Sequence, residues 1–448
     1  MTLHRLHEQS LRIKRKITHF TWGGVWALAL SSEKQRNLTR FFYDGLFSAA
    51  SDKIILTYLT IYLLTLGVSG QQVGFLSSIS NLSNASLLLP AAFFVERSGK
   101  RKEIAVKSAL ITQLSVFLMA VVPFLLFGHS AMIWIMLVLV VLREAASNFA
   151  YPGWIALTAD IVPIEGRGRF FSSRNFIMGL AGMLITLLMG EFITLVGEPL
   201  GYQLAFLLAV LLRGIAIGFF NSIQDPLSKQ QHGTQPNHQQ KTTFLHYLQN
   251  IVTSIKEHPQ FIKYIIFVAV WNLSIQVSAP FFTVYMVETM HLTAAMVGVV
   301  TVTNTAANML VQRRVGLWVD KWGNRFVAIV FLLLIPLIPL IWGLWVQKYW
   351  HAIAIEVFSG LLWGGFNLVS FNSLLIQTPE DQRARFSAYY QIIVTLSLAI
   401  GAGVGSFLFT RIGFLGVTLL STAGRFAASL IFLFFVRENS PSQQSQIS

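Results

Sequence analysis

Asp52 and Lys53 sit ten residues into one apolar run, and Arg143 and Glu144 sit twelve residues into another. A charged side chain at the centre of a bilayer costs at least about 2.5–3.5 kcal/mol unless it is paired, so such residues mark ion or proton pathways by default. At the helical rise, Asp52 lies about 15 Å from one end of its run and Arg143 about 18 Å from the opposite end of its own. Both therefore belong near mid-depth. A carboxylate there can exchange its proton as a guanidinium approaches or withdraws, because positive charge favours the ionised form and desolvation the neutral one. Asp52, Arg143 and Glu144 form the expected proton-coupling cluster. The competing reading of the same residues is a static ion pair that fixes helix packing. Asp44 begins its run and reads as a gate residue or helix N-cap. Glu191 and Glu356 fall near the outer ends of their runs, at a vestibule or in solvent. Arg213 and Arg425 stand at matching depths and read as structural.

A second set of side chains could bind a solute. Ser77, Asn81 and Asn84 share one helical face. Asn148, Tyr151 and Trp154 follow Arg143. Later runs carry Trp271, Asn272 and Gln276, then Asn304 and Asn308 one turn apart, then Trp363, Asn367 and Asn372, then Tyr389, Tyr390 and Gln391. Amides facing lipid would be costly, so these residues must face a cavity or another helix. Amides with aromatic faces suit a neutral polar or amphipathic organic solute. The acids within or beside the runs leave a cation open. Part of the set must instead join helices, at about 0.6 kcal/mol per contact.

These residues need helices that cross a membrane to position them. The chain of 448 residues is 54% hydrophobic and only 12% charged, with mean hydropathy +0.61. Soluble domains carry about 25% charged residues, so polar surface is lacking for any soluble arrangement. Twelve apolar segments are long enough to span: 42–66, 72–95, 104–127, 131–153, 173–196, 202–222, 262–286, 294–316, 326–346, 350–374, 386–410 and 414–436. The expected organisation is a cytoplasmic N-terminal tail over 1–40, a six-helix bundle over 41–222, a cytoplasmic linker over 223–260, a second six-helix bundle over 261–436 and a disordered cytoplasmic tail over 437–448. In the linker, Phe244, Leu248, Ile251, Val252 and Ile255 follow the spacing of an amphipathic helix.

The net charge of +14 would suggest nucleic acid in a soluble protein. Here it is topological. With the N-terminus in the cytoplasm, 27 of the 33 Lys and Arg fall on the cytoplasmic side and two, Lys348 and Arg411, on the other. That obeys the positive-inside rule and excludes nucleic acid as a partner. Lys14, Arg15 and Lys16 before the apolar stretch ending Ala27-Leu28-Ala29 resemble a secretory signal. Cleavage there would invert the charge map, so the stretch reads as a cytoplasmic tail with Trp22 and Trp26 in the membrane interface.

Enzymatic and cofactor chemistry finds no footing. Zero cysteines exclude thiol catalysis, disulfide scaffolds and Fe–S clusters. No phosphate-binding loop is present, and the His residues include no metal-ligand spacing. Gly-Ala-Gly-Val-Gly at 401–405 lies inside a span, where packing of small residues explains it. Neither cofactor nor metal is expected.

The two halves of the chain repeat. AFFVERSGKR at 92–101 aligns with GLWVDKWGNR at 316–325, and PIEGRGRF at 163–170 with PEDQRARF at 379–386. Repeats of this kind mark secondary transporters. On these residues the chain resembles the major facilitator superfamily, over roughly residues 40–437. The family pattern G-x-L-A-D-R-x-G-R-K is met by Glu96, Arg97, Gly99 and Arg101 in the first copy, which has Ala92 and Glu96 where the family has Gly and Asp. The second copy keeps Gly316, Asp320, Lys321, Gly323 and Arg325. The resemblance implies an all-α membrane protein with two pseudo-symmetric six-helix bundles, a small-molecule substrate and a monomer in a bacterial-type plasma membrane. It also implies a cytoplasmic gate. Glu96 would lie near Arg385 and Phe386 at the start of span 11, and Asp320 near Arg169 and Phe170 at the start of span 5, with Arg167 and Arg383 as further gate partners. The expected function is proton-coupled transport of a small organic solute by alternating access. The alternatives are a uniporter, a drug or lipid exporter of the same fold, or a non-transporting sensor or assembly protein. Span 5 lacks the family antiporters' Gly-Pro-Gly-Gly element, which speaks against drug:proton antiport.

Overall fold

The computed structural model describes residues 21–24, 26–126, 128–224, 258–379 and 382–436. The amphipathic linker residues and the tail 437–448 therefore lie outside the described residues, as do the side chains of Glu96, Arg383 and Arg385. Among the described residues twelve long helices follow one another. They are α1 Ser32–Thr65, α2 Gly70–Ser98, α3 Arg101–Leu126, α4 Ser130–Ile161, α5 Arg167–Val196, α6 Leu200–Asn221, α7 Pro259–Ser278, α8 Ala294–Trp322, α9 Asn324–Leu334 resuming as Leu337–Leu344, and α10 Tyr349–Gln377. The last helical stretch, Arg383–Phe435, breaks at Gly413 (φ 67°) into α11 over 383–412 and α12 over 414–435. Only glycine adopts that backbone without strain. Beyond α7, Phe281–Val284 and a π-helical turn Tyr285–Thr289 complete the seventh span.

Ten described stretches are long and apolar enough to cross a membrane, counting α11 and α12 as one. On α3, Leu110, Ile111, Leu114, Phe117, Phe124 and Leu125 are exposed, as a lipid-facing stripe requires. The repeated loops both turn through glycine, with φ 63° at Gly99 and 79° at Gly323.

The described residues form two compact units. Residues up to Leu66 and from Ser86 to 224 make unit 1; Gly67–Ala85 and residues from 258 onward make unit 2. In unit 1, α1 packs mainly on α6 and α5 and hardly touches α4. Buried hydroxyls on α1 stitch it to its neighbours. Ser51 Oγ donates to the Ala209 carbonyl on α6 (2.8 Å), Tyr58 Oη to the Thr186 carbonyl on α5 (2.6 Å) and Tyr62 Oη to the Met119 carbonyl on α3 (3.1 Å). The segment before α1 is part of this core. Trp22 is 6% exposed and packs with Phe41, Phe170 and Phe220, so it does not lie in the membrane interface as its sequence suggested. Trp26 Nε1 donates to the Trp22 carbonyl (2.8 Å), and Gln35 Nε2 donates to the Leu28 and Leu30 carbonyls. These bonds satisfy backbone that interfacial water would otherwise serve.

Unit 2 is held by close helix approaches. A Cβ on Gly401 or Gly405 of α11 would fall 2.3 Å from the Leu273 or Val277 carbonyl of α7. Ser421 Oγ on α12 donates to the Ser274 carbonyl on α7 (2.6 Å). The first half of α2 joins this unit through Ser78 Oγ, which donates to the Ala399 carbonyl (2.7 Å), and through Gln71, whose carbonyl accepts from Ser406 Oγ (2.7 Å).

Candidate functional site

Asp44, Ser48 and Asp52 are spaced by four residues and therefore share one face of α1. That face lines a cavity of about 330 Å³ inside unit 1, with α3, α4, α5 and α6 supplying the other walls. Two guanidinium groups enter it. Arg213 Nη1 of α6 lies 3.2 Å from Asp52 Oδ2. Arg174 Nη2 of α5 lies 4.0 Å from Asp44 Oδ2, and its guanidinium sits 4.3 Å over the Phe41 ring. Ser48 Oγ donates to Asp44 Oδ1 at 3.5 Å.

The two pairs differ in solvation. The Asp44 and Arg174 side chains are 9% and 8% exposed, whereas Asp52 and Arg213 are 47% and 23% exposed. The inner pair is shut off from water, and the outer pair is accessible to it. Tyr151 and Trp154 of α4 stack on the opposite wall, 6.2 Å between centroids at 23°. Lys53 turns away, its stem lying against Gly182 of α5.

This geometry separates residues that the sequence grouped. Asp52 meets Arg213, not Arg143, because α1 packs on α6 rather than α4. Arg143 is buried and pairs with its chain neighbour Glu144. Arg213, read from sequence as structural, is the cavity partner of Asp52. Asp44, read as a gate residue or an N-cap, is no N-cap: it lies well inside α1, and Ser31 caps that helix by accepting from the Lys34 N–H. No local spacing joins Asp52 to Arg213, 161 residues apart. The available signal was that each is a mid-run charge and that Arg213 has no acid near it in the chain.

Unit 2 holds a different polar centre. Glu356 of α10 is half-buried and tied to neighbouring helices, not at a solvated end. Its Oε2 accepts from Asn304 Nδ2 of α8 (2.6 Å) and its Oε1 from Trp342 Nε1 of α9 (3.2 Å). Asn304 Nδ2 also reaches Ser359 Oγ (3.2 Å). One carboxylate thus ties three helices. Among the described residues no basic group pairs with it. Trp271, Trp363 and Phe366 form an aromatic cluster beside α7, and the buried Trp271 Nε1 has no hydrogen-bond partner among the described residues.

The remaining solute candidates divide between helix contacts and open positions. Asn81 and Asn272 donate back to the Ser77 and Val268 carbonyls of their own helices. Gln276 Nε2 donates to Ser77 Oγ (2.8 Å), joining α7 to the first half of α2. Asn308 accepts from Gln312 of the same helix. Tyr390 stacks on Tyr264 (6.1 Å), and Tyr389 is buried beside Phe386. Asn84 and Asn148 are half-buried and Asn367 is exposed.

Within the repeated loops, Arg101 Nη1 pairs with Asp160 Oδ2 (2.5 Å), and Arg325 Nη2 donates to the Leu433 carbonyl (3.0 Å). Arg97, Asp320 and Lys321 are exposed, with Lys321 Nζ 5.4 Å over the Trp322 ring. Gly316 has open space where a Cβ would stand. Arg167 donates to the Val162 carbonyl and Arg169 is exposed.

A family model described as Major Facilitator Superfamily matches residues 45–277 and 264–448. The chain belongs to the major facilitator superfamily. Solved superfamily structures share its fold. The nucleoside transporter NupG superposes with TM-score 0.67 at 11% identity, covering 91% of this chain and 100% of NupG. A D-xylose–proton symporter gives 0.66 at 12%, covering 90% and 97%. A bacterial homologue of the iron transporter ferroportin, in an inward-facing state, gives 0.65 at 14%, covering 91% and 100%. No curated protein matches the chain in sequence. At these identities the superfamily fold carries over and a substrate does not.

Proposed function

We propose that this superfamily member is a secondary active transporter that moves a small organic solute by alternating access, with proton coupling through Asp52. It resides in a bacterial-type plasma membrane with both termini in the cytoplasm, and the Gly99 and Gly323 loops serve its gate. The observation that carries the coupling is the solvent-accessible Asp52–Arg213 pair in the unit 1 cavity. With Arg213 engaged, the ionised carboxylate is the favoured partner. When Arg213 withdraws, the carboxylate accepts a proton from cavity water, and its return releases that proton. The cycle alternates charge between two states of one pair, as coupling requires. The solved D-xylose–proton symporter of the same fold supports the reading. Superfamily membership supports transport itself, with the repeated loops as its signature.

The test uses purified protein in sealed liposomes with a pH dye inside. A proton gradient is imposed, and pooled sugars, nucleosides, amino acids, carboxylates and lipophilic cations are added in turn. One pool should trigger proton flux in the natural protein and none in Asp52→Asn. An unchanged flux in Asp52→Asn would remove Asp52 from the coupling role.

A further inference from the structure

The unit 1 cavity combines an accessible guanidinium with a flat aromatic wall. Arg213 meets Asp52 through one nitrogen at 3.2 Å, is 23% exposed and lines the cavity. A guanidinium fork takes carboxylate, sulfonate or phosphate oxygens in a two-point grip. The stacked Tyr151 and Trp154 rings offer a surface for a planar group. The formal charges of the lining cancel: Asp44 and Asp52 against Arg174 and Arg213. Arg174 is withdrawn beneath Phe41, which leaves Arg213 as the guanidinium a ligand can reach.

An anion entering this cavity competes with Asp52 for Arg213. A proton on Asp52 removes the competitor and leaves the lining with one net positive charge. We propose that the cavity binds an organic monoanion bearing a flat ring, with its acid group on Arg213, its ring against Tyr151 and Trp154, and one proton taken up by Asp52. This deepens the proton-coupled reading of the same pair and rests on it. The groups facing Asp52 are Arg213 from α6, Arg174 from α5, Tyr151 from α4 and Asp44 from its own helix, while α3 contributes Thr112 and no titratable lining residue. The amide-rich helices had suggested a neutral solute. The cavity offers recognition by charge instead, because an anion restores to Arg213 the charge-assisted contact that a protonated Asp52 gives up.

The test is binding of benzenesulfonate, a permanently anionic flat probe, against benzenesulfonamide, its neutral counterpart, to the purified chain by calorimetry. Benzenesulfonate should bind about tenfold or more tightly than the amide, and more tightly at mildly acidic than at mildly alkaline pH. Arg213→Gln should lose that preference and Arg213→Lys should keep part of it, which separates lost recognition from lost folding. Asp52→Asn should bind the sulfonate with no pH dependence. Equal binding of both probes, indifference to Arg213→Gln, or binding of neither probe would overturn the proposal. Asp52-dependent proton flux with a neutral solute, in a protein that ignores benzenesulfonate, would overturn the anion class and leave proton coupling standing. Sulfonate binding that needs Arg213 but ignores pH and Asp52→Asn would overturn the proton half.

Discussion

The two Asp–Arg pairs in unit 1 predict unequal consequences for the same substitution. Asp44→Asn leaves Arg174 charged, 8% exposed and without its carboxylate. Removing one partner of a buried pair costs about 3–5 kcal/mol, because the remaining charge stays desolvated. Asp52→Asn leaves Arg213 beside a cavity, in a pair whose acid is 47% exposed. Exposed pairs contribute about 0–1 kcal/mol. At about 2–4 °C per kcal/mol, Asp44→Asn should lower the unfolding temperature by roughly 6–20 °C and Asp52→Asn by no more than about 4 °C. Adding Arg174→Gln to Asp44→Asn should recover part of the loss, since the stranded charge is then removed. The assay is tryptophan fluorescence of the detergent-purified protein at one heating rate. Equal destabilisation by the two Asn variants would refute the distinction between a buried and a water-accessible pair. So would a double variant no more stable than Asp44→Asn.

Trp22→Ala should cost about 3–5 kcal/mol in the same unfolding assay, as a buried aromatic does; a near-neutral result would return Trp22 to the membrane interface. Glu356→Leu should strand the Trp342 N–H, at about 1–3 kcal/mol, and leave the Asn304 amide with its Ser359 contact, while Glu356→Gln keeps an acceptor and loses less. Gln as damaging as Leu would show that the charge, not the hydrogen bonding, holds α8, α9 and α10 together. Gly405→Leu should abolish recovery of folded protein, because a Cβ there meets the Val277 carbonyl at 2.3 Å, whereas Gly168→Ala, with nothing within 4 Å, should express normally.

The helices were legible because lipid imposes length and apolarity on each span independently of its neighbours. The twelve segments, their glycine turns at Gly99 and Gly323, and the close packing at Gly401 and Gly405 all follow from local residue choice. Partnerships were not legible, since they depend on which helices touch. Depth along the chain placed Asp52 and Arg143 at one level, but α1 turns its acidic face to α5 and α6. Arg213 therefore stands beside Asp52 where Arg143 was expected. Glu356 shows the same limit, because its partners come from α8 and α9 and its own helix end gave no sign of them. Trp22 failed for a different reason. An aromatic before a first span reads as interfacial unless the chain folds back, and Gln35 and the Trp26–Trp22 bond supply that fold through contacts no periodicity encodes.

The most direct measurement of the central claim is the reversal potential of transport in proteoliposomes, once a flux-supporting solute is in hand, for the natural protein and for Asp52→Asn. The account predicts that the reversal shifts with the pH gradient as one proton per solute requires. In Asp52→Asn that shift should vanish while solute counterflow persists. A pH-dependent reversal that survives Asp52→Asn would contradict it.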